Sequence, residues 1–75
     1  MNNKSIENIE RYTALFDKYG KLLTQNQQQV FRLYYEQDLS YAEVAEILAT
    51  TRSAAYDALN KAIKNLLKYE KQLDQ

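Results

Sequence analysis

Apolar residues recur along this chain at three- and four-residue spacing, the spacing that lines one face of an α-helix. Ile6, Ile9, Tyr12/Thr13, Phe16 and Tyr19 form the first such stripe and predict a helix from Ile6 to Tyr19. Gly20, the single glycine, follows at the position where a left-handed residue commonly ends a helix. Leu22 and Leu23 then precede Thr24-Gln25-Asn26-Gln27, a capping-box pattern in which the Thr hydroxyl accepts one orphan amide and the Gln reaches back to another. A second helix is therefore expected from about Gln25 to Tyr35, with Val30, Phe31, Leu33 and Tyr34 inward and a break at Gln37-Asp38.

Ser40-Tyr41-Ala42-Glu43 repeats the capping-box pattern and opens a third, short helix from about Tyr41 to Leu48, with Val44, Ala45, Ile47 and Leu48 as its apolar residues. Ala49-Thr50-Thr51 interrupts it, and Thr51 is placed to cap a fourth helix beginning at Arg52. That last helix meets no stop signal. Its series Ala55, Leu59, Ala62/Ile63, Leu66/Leu67 and Leu73 implies about twenty residues, ~30 Å, of amphipathic rod. With no Pro, one Gly and 45% hydrophobic residues, the expected fold is one all-α domain over residues 1–75, four helices with a long last one.

A capped helix, a three-residue turn and a second capped helix make a helix-turn-helix pattern from Ser40 onward. In such a unit the second helix enters the major groove by its N-terminal residues, which puts Thr51, Arg52, Ser53, Tyr56, Asn60, Lys61 and Lys64 toward a nucleic acid. Arg52 could read a guanine edge or hold a phosphate. Ser53 and Tyr56 could bond phosphates, and the two lysines would add sequence-independent attraction. Charge pulls the other way. The formal net charge is +0, and Asp57 would repel phosphate on the same helix. The two halves nevertheless differ in sign: residues 1–50 carry five basic and seven acidic side chains, residues 51–75 five and three.

The zero Cys and His counts exclude thiol and imidazole chemistry and most zinc or iron sites, so an enzyme, a metal and a cofactor are not expected. Glu43 and Glu46 lie one turn apart without a second acidic pair, and there is no Gly-rich phosphate loop. No apolar run reaches the ~20 residues of a membrane span, and MNNKSIENIE lacks the apolar stretch of a signal peptide, so a cytoplasmic protein is expected. A chain this short buries only roughly 60 to 65% of its surface on folding, which makes a homodimer plausible. The apolar stripe of the last helix offers Leu66, Leu67, Tyr69 and Leu73 as a self-association or partner surface. A four-helix domain could instead fold that stripe back against its own first helix.

Three blocks make the pattern more specific. LFDKYGKLLT (Leu15 to Thr24), LYYEQDLSYAEVAEIL (Leu33 to Leu48) and TRSAAYDALNKAIKNLLKYEKQL (Thr51 to Leu73) together resemble the YlxM family of small bacterial helix-turn-helix proteins. That family in turn resembles region four of bacterial sigma factors, whose last helix, beginning at the equivalent of Arg52, docks on DNA. The resemblance implies a cytoplasmic, non-enzymatic regulator whose genes accompany those of the signal recognition particle GTPases. DNA, the particle's RNA or its protein components are the ligands it implies. A non-catalytic interaction module, with the helix-turn-helix as scaffold, is the alternative it leaves open. Family members also continue for a few dozen residues past the segment that ends here at Gln75.

Overall fold

Each helix begins at a hydroxyl cap, three of them the caps expected from the sequence and the fourth, Ser5, not foreseen there, in a computed structural model that describes residues 4–73. The Ser5 side chain accepts from the Asn8 N–H and opens α1, Ile6–Tyr19. Thr24 opens α2, Gln25–Phe31: its Oγ1 accepts from the Gln27 N–H at 3.2 Å, and Gln27 Oε1 accepts from the Thr24 N–H at 3.3 Å. Ser40 and Glu43 make the same reciprocal pair, at 3.2 and 2.9 Å, ahead of α3, Tyr41–Ile47. Thr51 Oγ1 accepts from the Ala54 N–H at 3.0 Å at the start of α4, Arg52–Leu73. These local bonds satisfy amides that the first turn of a helix leaves without partners, so the chain starts its helices where the caps are.

Helix ends depart from expectation. Gly20 is not left-handed: its φ is −56°, and it belongs to a single 3₁₀ turn, Gly20–Leu22. Glycine is required there by close approach, because a Cβ would sit 3.1 Å from the Phe16 ring. That ring is stacked on Phe31, centroids 4.3 Å apart and nearly parallel, and has little room to retreat. Gly20→Ala is therefore expected to lower stability by about 1 kcal/mol, where an unhindered helical Gly→Ala change would raise it by about as much. A thermal melt reads the sign, and a rise in Tm would show that the ring yields.

The left-handed residues among those described are Asp38 and Ala49, with φ of 55° and 54°. Both follow a helix and close it through a backbone bond into its last turn, Thr50 N–H to Ala45 O five positions back at 2.9 Å and, after the wider turn, Leu39 N–H to Leu33 O six positions back at 3.2 Å. The expected second helix, Gln25 to Tyr35, is also not uniform. After Phe31 it widens into a π-helical segment, Arg32–Glu36, where the Gln37 N–H reaches the Arg32 carbonyl. The extra residue per turn brings Tyr35 into the core beside Tyr34 and leaves Leu33 only half-buried.

α4 lies against α1, α2 and α3 and is the element around which the core is built. Its buried residues are Ala55, Leu59, Ala62, Ile63 and Leu66, which meet Leu15, Phe16 and Tyr19 of α1, Val30 and Phe31 of α2, and Val44 and Ala45 of α3 in one cluster. The expected stripes shift at their ends. Ile6 is 76% exposed, Ile47 is exposed, and Leu15 takes an inward place that the spacing had not given it. An Arg11–Glu70 ion pair at 3.6 Å joins the outer edges of α1 and α4. Among the described residues no helix is long and apolar enough to cross a membrane, and no group of His, Cys, Asp or Glu is arranged to hold a metal.

Candidate nucleic-acid interface

The helix-turn-helix is built as the sequence requires. α3 sets Val44 and Ala45 against Ala55 and Leu59 of α4, all four buried, and the small Ala45 and Ala55 let the two helices approach. The turn between them runs through Leu48, left-handed Ala49, Thr50 and the Thr51 cap. Packing one face of α4 inward leaves its opposite face in solvent, and the N-terminal part of that face borders an open groove.

The groove encloses about 730 Å³ and is lined by Ser40, Tyr41, Ala42, Arg52, Ser53, Tyr56 and Asp57. Three of the expected contact residues, Arg52, Ser53 and Tyr56, thus come together on it, and all three are exposed. Thr51 stands at its edge with its hydroxyl engaged as a cap. Asn60 is half-buried, so less of it is open to a ligand than an outward position would give. Lys61 and Lys64 are exposed but lie further along the helix, beyond the groove. Lys64 borders a second, shallower depression with Leu67, Lys68, Lys71 and Gln72.

Tyr41 was not among the expected contacts. It is the first residue of α3, where a cap fixes the backbone, and its ring meets the Tyr56 ring edge-on with centroids 5.2 Å apart. The signal was present in Ser40-Tyr41, because the start of the first helix of such a unit faces the start of the second. Asp57 is on the groove wall, so the groove carries one cation and one carboxylate rather than a uniformly positive surface. Glu43 is tied to the cap: its bonds from the Ser40 backbone and hydroxyl hold its carboxyl below the usual glutamate range.

The surface expected for self-association divides. Leu66 is 0% exposed, in contact with the core, and is no part of any surface. The reason is α1, which lies over this stretch of α4 and covers the stripe that the sequence left open. Leu67 and Tyr69 are half-buried, the Tyr69 hydroxyl donating to the Leu22 carbonyl at 3.4 Å, and Leu73 is 60% exposed.

Comparison with known proteins agrees with this geometry. A family model described as "Putative helix-turn-helix protein, YlxM / p13 like" matches residues 6–75. The chain is 46% identical over 68 residues to a UPF0122 protein of Clostridium perfringens, covering 91% of this chain and 61% of that protein. It is 47% identical over 64 residues to a UPF0122 protein of Clostridium kluyveri, covering 85% and 58%. It is 49% identical over 61 residues to one of Clostridium acetobutylicum, covering 81% and 53%. The chain thus spans a little over half the length of these relatives. On the match across α1 to α4 and the helix-turn-helix it contains, the chain belongs to the UPF0122 family of YlxM/p13-like helix-turn-helix proteins.

Proposed function

We propose that this protein is a nucleic-acid-binding regulator that takes duplex DNA against the N-terminal half of α4. The observation that carries the reading is the groove between α3 and α4, on which Arg52, Ser53 and Tyr56 are exposed together while the opposite face of α4 is locked in the core. Arg52 supplies the charge for a phosphate or a guanine edge, and Ser53 and Tyr56 supply hydroxyl donors for the backbone. Lys61 and Lys64, one to three turns on, add attraction that does not depend on sequence. Asp57 limits how much of the groove can lie against phosphate, so binding is expected to rest on few contacts. The signal recognition particle pathway is the setting that the family resemblance favours, with the particle's RNA as the competing nucleic acid.

Fluorescence anisotropy with random duplex DNA and with signal recognition particle RNA, over a salt series, tests this. Affinity that falls linearly with log salt is expected, the slope reporting the number of phosphates neutralised. Arg52→Ala should weaken specific binding by about 1 to 3 kcal/mol, a factor of roughly 5 to 150, if it makes a bidentate base contact. No binding to duplex at low salt, or equal binding by the Arg52→Ala protein, would count against the assignment. Tighter binding to the RNA would move the ligand from DNA to RNA at the same surface.

A second reading is a protein-interaction module, and the near-neutral charge and Asp57 favour it. Its surface would be Leu67, Tyr69 and Leu73 at the far end of α4, with a second copy or a signal recognition particle component as partner. Light scattering of the parent and of Leu73→Ser distinguishes it: a dimer mass lost on substitution supports the reading, and a monomer mass for both removes the homodimer.

A further inference from the structure

Four aromatic and cationic groups from four separate parts of the chain stand in one row that ends in the groove. At the inner end the Lys4 Nζ lies 4.4 Å from the centroid of the Tyr34 ring. The same ammonium donates to the Leu39 carbonyl at 2.8 Å and pairs with Asp38 at 3.2 Å, which pins it to the left-handed turn before α3. Tyr34, on the π-helical segment, stacks on Tyr41 with centroids 4.6 Å apart and planes inclined by 18°. Tyr41 in turn meets Tyr56 edge-on, and Tyr56 is 50% exposed on the groove wall.

An exposed Tyr in the second turn of a helix ordinarily exchanges rotamers, and a ligand that uses it must stop that motion, at a cost of about 0.5 to 1.5 kcal/mol. Here one side of the Tyr56 ring is already occupied. Tyr41 is itself fixed twice, by the Ser40 cap at its backbone and by the Tyr34 ring over its face. Tyr34 is held by the wide turn that buries it and by the cation above it.

We infer that Tyr34 and Tyr41 are positioning residues that hold the Tyr56 ring in one orientation for its ligand, and that Lys4 closes the row from the other end. Residues outside the helix-turn-helix thereby set its contact surface. The inference rests on the groove being the nucleic-acid surface, and it adds that Tyr56 is ordered before the nucleic acid arrives. Burial and a hydrogen bond with Tyr41 push the Tyr34 phenol well above the usual tyrosine range, so Tyr34 stays a neutral ring under Tyr41 in the range in which binding is measured.

Two measurements on the full chain test it. In the free protein, ring-labelled tyrosine NMR should show the Tyr56 resonances displaced from random-coil positions. Tyr41→Leu should move them toward those positions, Tyr41→Phe should leave them, and Lys4→Met, which keeps the aliphatic stem, should move them in the same direction by less. Unmoved Tyr56 resonances in both Tyr41→Leu and Lys4→Met would overturn the inference, whatever the protein binds. In the anisotropy assay, Tyr41→Leu should weaken duplex binding roughly threefold to tenfold, with Tyr41→Phe close to the parent. In a Tyr56→Ala background the same change should cost nothing further. Equal losses in both backgrounds would make Tyr41 an independent contact and remove its positioning role. Absence of any duplex binding by the parent would remove the nucleic-acid reading, and the NMR arm would still decide the ordering of the ring.

Discussion

Phe31→Ala is expected to remove at least about a quarter of this domain's stability. The Phe31 side chain is fully buried, stacked on Phe16 at 4.3 Å and in contact with Tyr35 at 4.8 Å, so its removal empties the meeting point of α1 and α2 against α4. Truncation of a buried Phe costs about 3 to 5 kcal/mol, combining lost transfer energy with the cavity left behind. A 75-residue domain has only about 4 to 11 kcal/mol in all, by the usual range per residue. Circular dichroism should show Tm lowered by about 12 to 40 °C, at roughly 4 to 8 °C per kcal/mol for a domain of this size. Phe31→Leu, which keeps most of the volume and loses the ring stacking, should fall between. A Tm within a few degrees of the parent for Phe31→Ala would mean that the aromatic stack is not what joins the two helices.

Leu66→Ser and Leu67→Ser should differ by about 3 kcal/mol although the residues are adjacent. Leu66 is enclosed, and serine there leaves a cavity and buries a hydroxyl, together about 4 kcal/mol. Leu67 is only half-buried beside Lys64 and Lys68, and the same change there should cost about 1 kcal/mol. Urea denaturation of the two single variants reads the difference directly. Near-equal midpoints would place α1 farther from this part of α4 than the fold has it. The pair also separates stability from association: a change of mass in Leu67→Ser, with its midpoint kept, reports a surface, whereas a change in Leu66→Ser reports only a damaged core.

The contrast between these two leucines shows what was legible in the sequence. Caps are local, so Thr24 with Gln27, Ser40 with Glu43, and Thr51 could be read directly, and with them the helix starts and the helix-turn-helix. Burial of Val44, Ala45, Ala55 and Leu59 followed from the same pattern. Which of Leu66 and Leu67 faces inward depends on where α1 lies, and nothing in the spacing on α4 contains that. Gly20 was read for its backbone freedom, whereas its role is to let the Phe16 ring lie close. The π-helical segment escaped for another reason. Phe31, Tyr34 and Tyr35 keep an acceptable α-helical spacing, so one additional residue per turn leaves no mark in the hydrophobic pattern. In the groove, Arg52, Ser53 and Tyr56 were legible as the exposed start of a capped helix, while Tyr41 was marked only by its position after the Ser40 cap, the ring partner that fixes it lying on another element.

The central position of α4 also bears on how the protein is made. Ribosomes deliver α1, α2 and α3 first, at roughly 5 to 20 residues per second, yet each of these helices has its apolar face covered by a helix not yet synthesised. Until Leu59, Ile63 and Leu66 leave the exit tunnel, the nascent chain holds Phe16, Phe31 and Val44 without their lid. Folding is thus postponed to the emergence of the last helix and then occurs as one event, with the groove appearing only when the whole core has closed.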